Sequence, residues 1–506
     1  MKILLQVSTH SYKTYHFLAI RIREKYPKSE FALIGVNRIK QGIDFFNNQD
    51  DIQYTYFDDT LFNDDETKKV VNFDIINNFE KKSNSYIWKI VSSDRVMGGA
   101  FVHGSYDYGL KFQNNRSYIL KKFEQKITDI ENIFSKFQPN IFIPSIMMGN
   151  INVGIYEGMC KIYTTQYAAV TISRVKNYCS FSNNKMLNLN QIHSDTQDLI
   201  HYNLQPSKSS MELYNNLMSE IEDPDYFDSS KHISEINLVF IFKNLVLNPT
   251  ISVIKSIIVC IKNNKYHNIW VVFLREMYRG VDNITVSRPN YGRKLPKSQK
   301  YLYYPLHISP EYSTLVQGGM LQDQLVIIEL LAKSVPADWI IYVKEHPQTI
   351  LSRLRPRDFF KKLKRIPNVE IAPIDSNMHN IISNSDMVAT ITGTSGLEAV
   401  LRGKPVVGFS DYINVFDGMD LSAKISDFNK LPDLISTEFD RIKLIPKNER
   451  ARRVKLFLTA MLNNSFWVTH PKVLFYDEIG DDHEYEKCGV ELAEGLIKFL
   501  PNIFSK

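Results

Sequence analysis

Apolar and polar positions along the chain sort into short uninterrupted apolar runs and longer stretches of helical spacing, in a repeating order. Ile3 to Val7 and Phe31 to Val36 are apolar runs of strand length, and His16 to Tyr26 between them has helical periodicity, so the chain opens with a βαβ unit. The same grammar returns late. Tyr301 to Ile308 predicts a strand, Asp323 to Val335 a helix, Trp339 to Val343 a strand, Met387 to Ile391 a strand, Leu397 to Arg402 a helix and Pro405 to Phe409 another strand. Strands alternating with helices predict parallel sheets covered on both faces, hence an α/β protein.

Between these units, Arg116 to Phe137 is a long amphipathic pattern stopped by Gln138-Pro139. Asn140 to Pro144 follows as a short strand, then a helix through Glu157 to Tyr163, then a strand ending in Ser173-Arg174. Asn47 to Ser85 is polar, predicting irregular surface with at most short elements. Asn177 to Ser234 is again polar and irregular; this stretch, about 177–235, is expected to be an insertion with some helix, or a mobile flap. Leu238 to Asn263 and His267 to Tyr278 predict a helical connector. Its apolar core, Ile251 to Ile261, is far short of the roughly 20 residues of a membrane span and is expected to be a packed helix. Ala451 to Asn463 and Gly489 to Leu500 close the chain as helices, the last expected to cross back to the first domain. With 506 residues, two domains are expected, 1–295 and 296–506.

Composition narrows the class. Hydrophobic residues make up 44% and charged residues 23%, which excludes a disordered chain. A net charge of +6 is too small a bias for nucleic-acid binding, but suits anionic substrates or an acidic membrane surface. Cys160, Cys179, Cys260 and Cys488 lack metal-ligand spacing and are expected to be buried thiols in a reducing compartment. Asp58-Asp59 lies in a polar run with no converging ligands, so no metal site is expected. Met1 to Val7 turns polar at Ser8 and His10, leaving no signal-peptide core, and a cytoplasmic location follows as an expectation; the apolar carboxyl end either packs on the fold or rests peripherally on the inner membrane.

Candidate chemistry gathers at strand ends. In open parallel sheets ligands bind beyond the carboxyl ends of the strands. Two polar clusters fall there: Lys344-Glu345-His346-Pro347, and Thr392-Gly393-Thr394-Ser395-Gly396 leading into a helix. The second offers hydroxyls, glycines that admit a ligand to the backbone and a helix start whose free N–H groups favour a phosphate. His346 is expected to donate to the same phosphate, Pro347 to stiffen its loop, and Lys344 or Lys404 to add charge. The alternative is that Ser395 and Gly396 only cap a helix and His346 makes a structural bond. His10, in the loop after the first strand, would meet substrate if the two domains enclose a cleft there, against the reading of a solvated loop histidine. Glu157 and Glu311 are the candidate catalytic carboxylates, against exposed-helix and turn-capping roles. Arg174 is shaped to fork the carboxylate of an acidic sugar. The basic run Arg275, Arg279, Arg288, Arg293, Lys294, Lys297 and Lys300 reads as a solvated face or as a contact for an anionic acceptor.

Lys344-Glu345-His346-Pro347, Thr392-Gly393-Thr394-Ser395-Gly396-Leu397-Glu398-Ala399, Gly403-Lys404-Pro405-Val406 and the strand Tyr304 to Glu311 together resemble the donor half of the capsule polysaccharide biosynthesis proteins. That group includes bacterial transferases of 3-deoxy-D-manno-octulosonic acid (Kdo). The resemblance runs from about Tyr301 to Asp411 and fades before it. It implies a GT-B-like fold of two Rossmann-like domains with a cleft between them. It also implies a metal-independent, retaining glycosyltransferase of capsule or lipopolysaccharide synthesis, with a CMP-linked nucleotide sugar as donor, no other cofactor, and a glycan or glycolipid acceptor. Glu398 enters the candidate donor-binding set through the motif. Two alternatives stay open: a sugar-nucleotide epimerase of the same shape, and a non-catalytic scaffold of capsule assembly that binds nucleotide or glycan.

Overall fold

The computed structural model of the chain describes residues 1–39, 42–58, 70–94, 116–145, 151–222, 242–263, scattered positions from 273 to 284, and then 292–309, 311–346, 359–410, 412–425, 427–474 and 480–501. Fourteen strands make up three sheets among them. In chain order they are β1 (Lys2–Gln6), β2 (Glu30–Ile34), β3 (Tyr54–Phe57), β4 (Ile141–Ile143), β5 (Gln166–Tyr167), β6 (Ala169–Ile172), β7 (Tyr178–Ser182) and β8 (Lys300–Pro305), followed by β9 (Trp339–Lys344), β10 (Val369–Ile371), β11 (Met387–Thr390), β12 (Val406–Gly408), β13 (Ser422–Lys424) and β14 (Phe466–Trp467).

The first sheet is parallel in the order β3-β2-β1-β4-β5, with Ile3 opposite both Phe31 and Ile141. The second is parallel in the order β10-β9-β8-β11-β12-β13. Both are doubly wound, as the alternation of strand and helix predicts, and the α/β reading with two Rossmann-like sheets holds. Strand chemistry explains the continuous apolar runs. In β1, Ile3 and Leu5 enter one core and Leu4 the core on the other face. In β8, Tyr301 and Tyr303 face one core and Leu302 and Tyr304 the other. A strand buried on both faces has no polar position to alternate with.

β14, β7 and β6 form a small antiparallel sheet that stitches the carboxyl-terminal segment to the first domain, with Phe466 opposite Cys179. The last helix, Asp482–Phe499, then packs on Tyr12–Lys25, the crossing-back that the GT-B-like resemblance implies. Gly489 makes the approach possible, since a Cβ there would lie 2.6 Å from both the Phe17 Cβ and the Thr14 carbonyl oxygen.

Three polar or apolar stretches refine the expectation. The helix expected within the 177–235 insertion is extensive: after β7 come Asn190–His201 and Lys208–Glu222. Their few apolar positions, Leu189, Ile192, Leu217 and Ile221, join the core under the helix Lys447–Asn464. Thr459 hydrogen-bonds Ser207 and Ser210 there, so polar composition reflects outward faces and polar seams rather than disorder. Within 47–85, Asn72 caps a helix, Phe73–Ser83. Conversely Ile254 and Ile258 of the helix Asn248–Asn263 are 50% and 54% exposed, so this helix is not packed as its composition suggests. No helix among the described residues is long and apolar enough to cross a membrane. Cys160, Cys179 and Cys488 are buried thiols.

Substituting Gly489→Ala should overpack the seam between the first and last helices and lower stability by about 1–3 kcal/mol. Urea denaturation of the full chain checks it, and an unchanged midpoint would mean that the two helices are not in close contact.

Candidate active site at the switch point of the second sheet

The second sheet reverses its winding between β8 and β11: connections from β8 run outward to β9 and β10, and the later strands lie on the other side. A crevice opens at such a reversal. Here β8 pairs with β9 over six positions but with β11 over only two, Leu302 to Met387 and Tyr303 to Val388. Beyond Tyr303 and Val388, side chains rather than backbone close the gap.

His307, just past β8, supplies that closure. It is buried; its amide donates to Gln324 Oε1 at 2.7 Å, and Gln324 Nε2 donates back to its carbonyl at 3.1 Å. Its Nε2 lies 3.1 Å from Thr390 Oγ1 and accepts from the Thr392 amide at 3.4 Å. An amide can only donate, so Nε2 is the acceptor and the ring proton sits on Nδ1. Thr390 Oγ1 in turn accepts from the Gly393 amide at 2.9 Å. A Cβ on Gly393 would stand 2.8 Å from Thr390 Oγ1, 2.9 Å from Ser395 Oγ and 3.1 Å from His307 Nε2, so the turn tolerates only glycine at that position. Gly393 opens the helix Thr394–Leu401 with no side-chain cap. The first-turn amides of Thr394 and Ser395 therefore have no intrahelical acceptor and are presented with the positive end of the helix dipole. Gly396 lies against the Phe416 ring, fixing the helix from behind.

The imidazole beside the Thr392–Gly396 turn is thus His307, which the sequence reading did not select. His346 sits at the end of β9, with β8 interposed; its amide donates to Glu345 Oε1 at 2.7 Å. The signal for His307 was available. It follows the first strand of the second βαβ series, and in a doubly wound sheet the first strand, not the second, borders the fourth. Pro347 lies outside the described residues. Thr392 is engaged as well, its hydroxyl donating to the Ser313 carbonyl at 3.2 Å, while Thr394 is exposed.

The candidate carboxylates lie at the joint between the two domains. Glu311 starts the short helix Tyr312–Leu315 in a capping box with Thr314 and accepts from Ser313 Oγ at 3.0 Å, the turn-capping role. The Tyr312 hydroxyl donates to the Lys185 carbonyl, Gln317 Nε2 to the Met186 carbonyl and Gln322 Nε2 to Ser92 Oγ, so this segment plugs into the first domain. Glu157 is buried on the other side of the joint. It is not an exposed helix glutamate: it accepts from the Lys185 amide at 2.9 Å and faces the Lys185 ammonium at 3.3 Å. Arg174, in the left-handed region at φ 62°, hydrogen-bonds Tyr412, whose hydroxyl is pushed up by burial and drawn down by that guanidinium. His10 lies in the turn after β1, at the carboxyl edge of the first sheet.

Four further residues serve the fold. Glu398 meets His379 Nδ1 at 3.0 Å and Arg402 at 3.6 Å, a triad along the helix layer rather than at the turn. Arg293 pairs with Glu370 and Lys300 with Asp338, whereas Arg275, Arg279 and Arg288 lie outside the described residues. Lys344 is buried, donating to the Ile374 and Glu345 carbonyls, and burial pushes its ammonium down from 10.5 to about 8. Between those two values the unfolded chain holds a proton that the folded one has released, so stability rises with pH through that window. Below it the lysine is charged in both states and its desolvation cost is complete. Lys344→Met should flatten this rise in urea series at about pH 7.5 and about pH 10; an unchanged slope would assign the titration to another group.

Residues 259–434, just over a third of the chain, match the family described as capsule polysaccharide biosynthesis protein. No curated protein matches. Among solved structures the chain is similar to the Thermosulfurimonas dismutans KpsC beta-Kdo 2,7-transferase, at 13% identity over 72% of this chain and 89% of that one, TM-score 0.31. It is also similar to the beta-Kdo 2,4-transferase of the same organism, at 11% identity over 69% and 87%, TM-score 0.33. UDP-GlcNAc 2-epimerase from Neisseria meningitidis is another, at 12% identity over 92% and 100%, TM-score 0.24. The span that matches the capsule polysaccharide biosynthesis family, 259–434, holds both His307 and the Thr392–Gly396 turn.

Proposed function

We propose that the chain is a glycosyltransferase of bacterial surface polysaccharide synthesis, capsule or lipopolysaccharide, that transfers Kdo from CMP-Kdo to a glycan or glycolipid acceptor. The observation that carries this reading is the switch-point turn, where His307 and Thr390 lock the backbone and the helix starts at Thr394 with no side-chain cap, leaving the Thr394 and Ser395 amides without an intrahelical acceptor. Donor phosphate would sit there, and those preorganised donors would stabilise the charge that grows as the nucleotide leaves. In this reading neither a metal nor a further cofactor takes part, because the helix end takes the charge. The family match over 259–434 supports it, since it spans both strand ends.

Glu311 is the better placed of the two carboxylates for a retaining, nucleophilic role near the oxocarbenium-like centre. Its loop is tied to the turn through Thr392 and Ser313, whereas Glu157 is held by Lys185. Arg174 would meet the sugar carboxylate from the first domain. The work is placed in the cytoplasm, at the inner face of the membrane that carries a lipid-linked acceptor.

Incubation with CMP-, UDP-, GDP- and dTDP-sugars, with and without lipid-linked or synthetic acceptors, tests the assignment. CMP release that depends on acceptor is expected. Release or epimerisation without acceptor would favour the epimerase, and donor binding with no turnover would favour a scaffold. His307→Ala and Gly393→Ala should each weaken nucleotide binding by about 1–3 kcal/mol, the range for losing a charge-assisted hydrogen bond or its geometry. Parental affinity in both variants would remove the phosphate from this turn.

A further inference from the structure

The helix Thr394–Leu401 has a second functional-looking end. About 12 Å from the turn, at a rise of about 1.5 Å per residue, its carboxyl end borders a cavity of about 540 Å³. Arg402, Lys404, Lys447 and Arg450 line it, and no described lining residue is Asp or Glu. Arg402 is compensated by Glu398 at 3.6 Å. The other three stand outside the ion pairs of the described residues; Glu449, next to Arg450, is taken by Arg452 and Arg453.

Part of this charge has a local explanation. Arg450 Nη1 donates to the Gly403 carbonyl at 2.6 Å and Lys404 Nζ to the Ser385 carbonyl at 2.8 Å, so both cap helix ends. Capping does not account for the rest. Arg450 Nε is buried with no hydrogen-bond partner, and burial, opposed by the Asp386 carboxylate and reinforced by Arg450, holds Lys404 below the usual lysine value. Asp386 is thus the counter-charge within reach of Lys404, while the cavity lining itself gathers Arg402, Lys404, Lys447 and Arg450 with no acidic group among its described residues, an excess of positive charge that favours an anion inside it. The floor, by contrast, is apolar: Met218, Val400 and Val454, with Asn380 and Ser383 at the rim.

We propose that this cavity is a second anion site, separate from the donor turn, that takes a small organic phosphate. The phosphate oxygens meet Lys404, Lys447 and Arg450, and the carbon skeleton lies on Met218, Val400 and Val454. The volume suits a sugar phosphate or a larger metabolite of that kind.

Isothermal titration of the full chain with inorganic pyrophosphate and with a sugar 1-phosphate tests it. Binding of both probes should persist in Gly393→Ala, which disables the donor turn, and weaken by about tenfold or more in a Lys447→Gln, Arg450→Gln double variant. The proposal fails if the double variant binds like the parent, or if no binding survives in Gly393→Ala. Binding of pyrophosphate without the sugar phosphate would overturn its organic half. Should Arg450→Gln lower the melting temperature through loss of its bond to Gly403, Lys447→Glu alone carries the test. It replaces an exposed residue and should weaken binding about threefold or more; parental affinity there overturns the site.

Discussion

The second domain depends on a backbone turn that cannot hold itself. Between β11 and the helix Thr394–Leu401 the chain reverses within three residues, and the Thr392 and Gly393 amides point inward, away from water. Buried amides left unpaired cost about 1–3 kcal/mol each. His307 Nε2 and Thr390 Oγ1 accept them, and the two acceptors are themselves in contact at 3.1 Å. Gln324 fixes His307 from the far side by a reciprocal pair of bonds to its backbone. Because the inward amides are satisfied by protein, the next amides along the chain, those of Thr394 and Ser395, are the first without an intrahelical acceptor.

Much of this was legible in the sequence, and the parts that were not fail for physical reasons. Apolar runs such as Ile3 to Val7 gave strands correctly because burial on both faces leaves an unambiguous signature. The turn Thr392-Gly393-Thr394-Ser395-Gly396 was readable for the same reason: two glycines at a strand-to-helix step require close approach, met here by Thr390, Ser395 and His307 at Gly393 and by Phe416 at Gly396. Partner identity was not readable. Choosing His346 over His307 needed the spatial order of strands, and periodicity reports the faces of a strand, not its neighbours. The extent of helix in residues 177–222 was not readable, because helices docked by a few apolar positions, Leu189, Ile192, Leu217 and Ile221, look polar in composition.

Lys344 shows the complementary error. A lysine at a strand end next to histidine suggests a phosphate ligand, but a side chain on the inner face of a parallel sheet meets the next loop, not solvent. Its ammonium instead joins β9 to the Ile374 loop, and burial weakens the charge that phosphate binding would need. Residue type indicated chemistry; pleat direction decided whether the ligand could be reached.

The geometry also couples the turn to the domain joint. Thr392 holds the Ser313 carbonyl, and Ser313 belongs to the short helix whose Tyr312 hydroxyl reaches the Lys185 carbonyl of the first domain. Lys185 is in turn the residue that pairs with Glu157. A shift of one domain against the other therefore acts on the helix Tyr312–Leu315 before it acts on the sheet, because that helix is anchored on both sides while the strands are not. Any change in the joint is delivered to Glu311 and to the turn together, since Thr392 and Glu311 are separated only by the Ser313 link. Glu311 and the Thr392–Gly396 turn, both in the second domain, are thus held to each other through Ser313 and, by the same short helix, to the first domain.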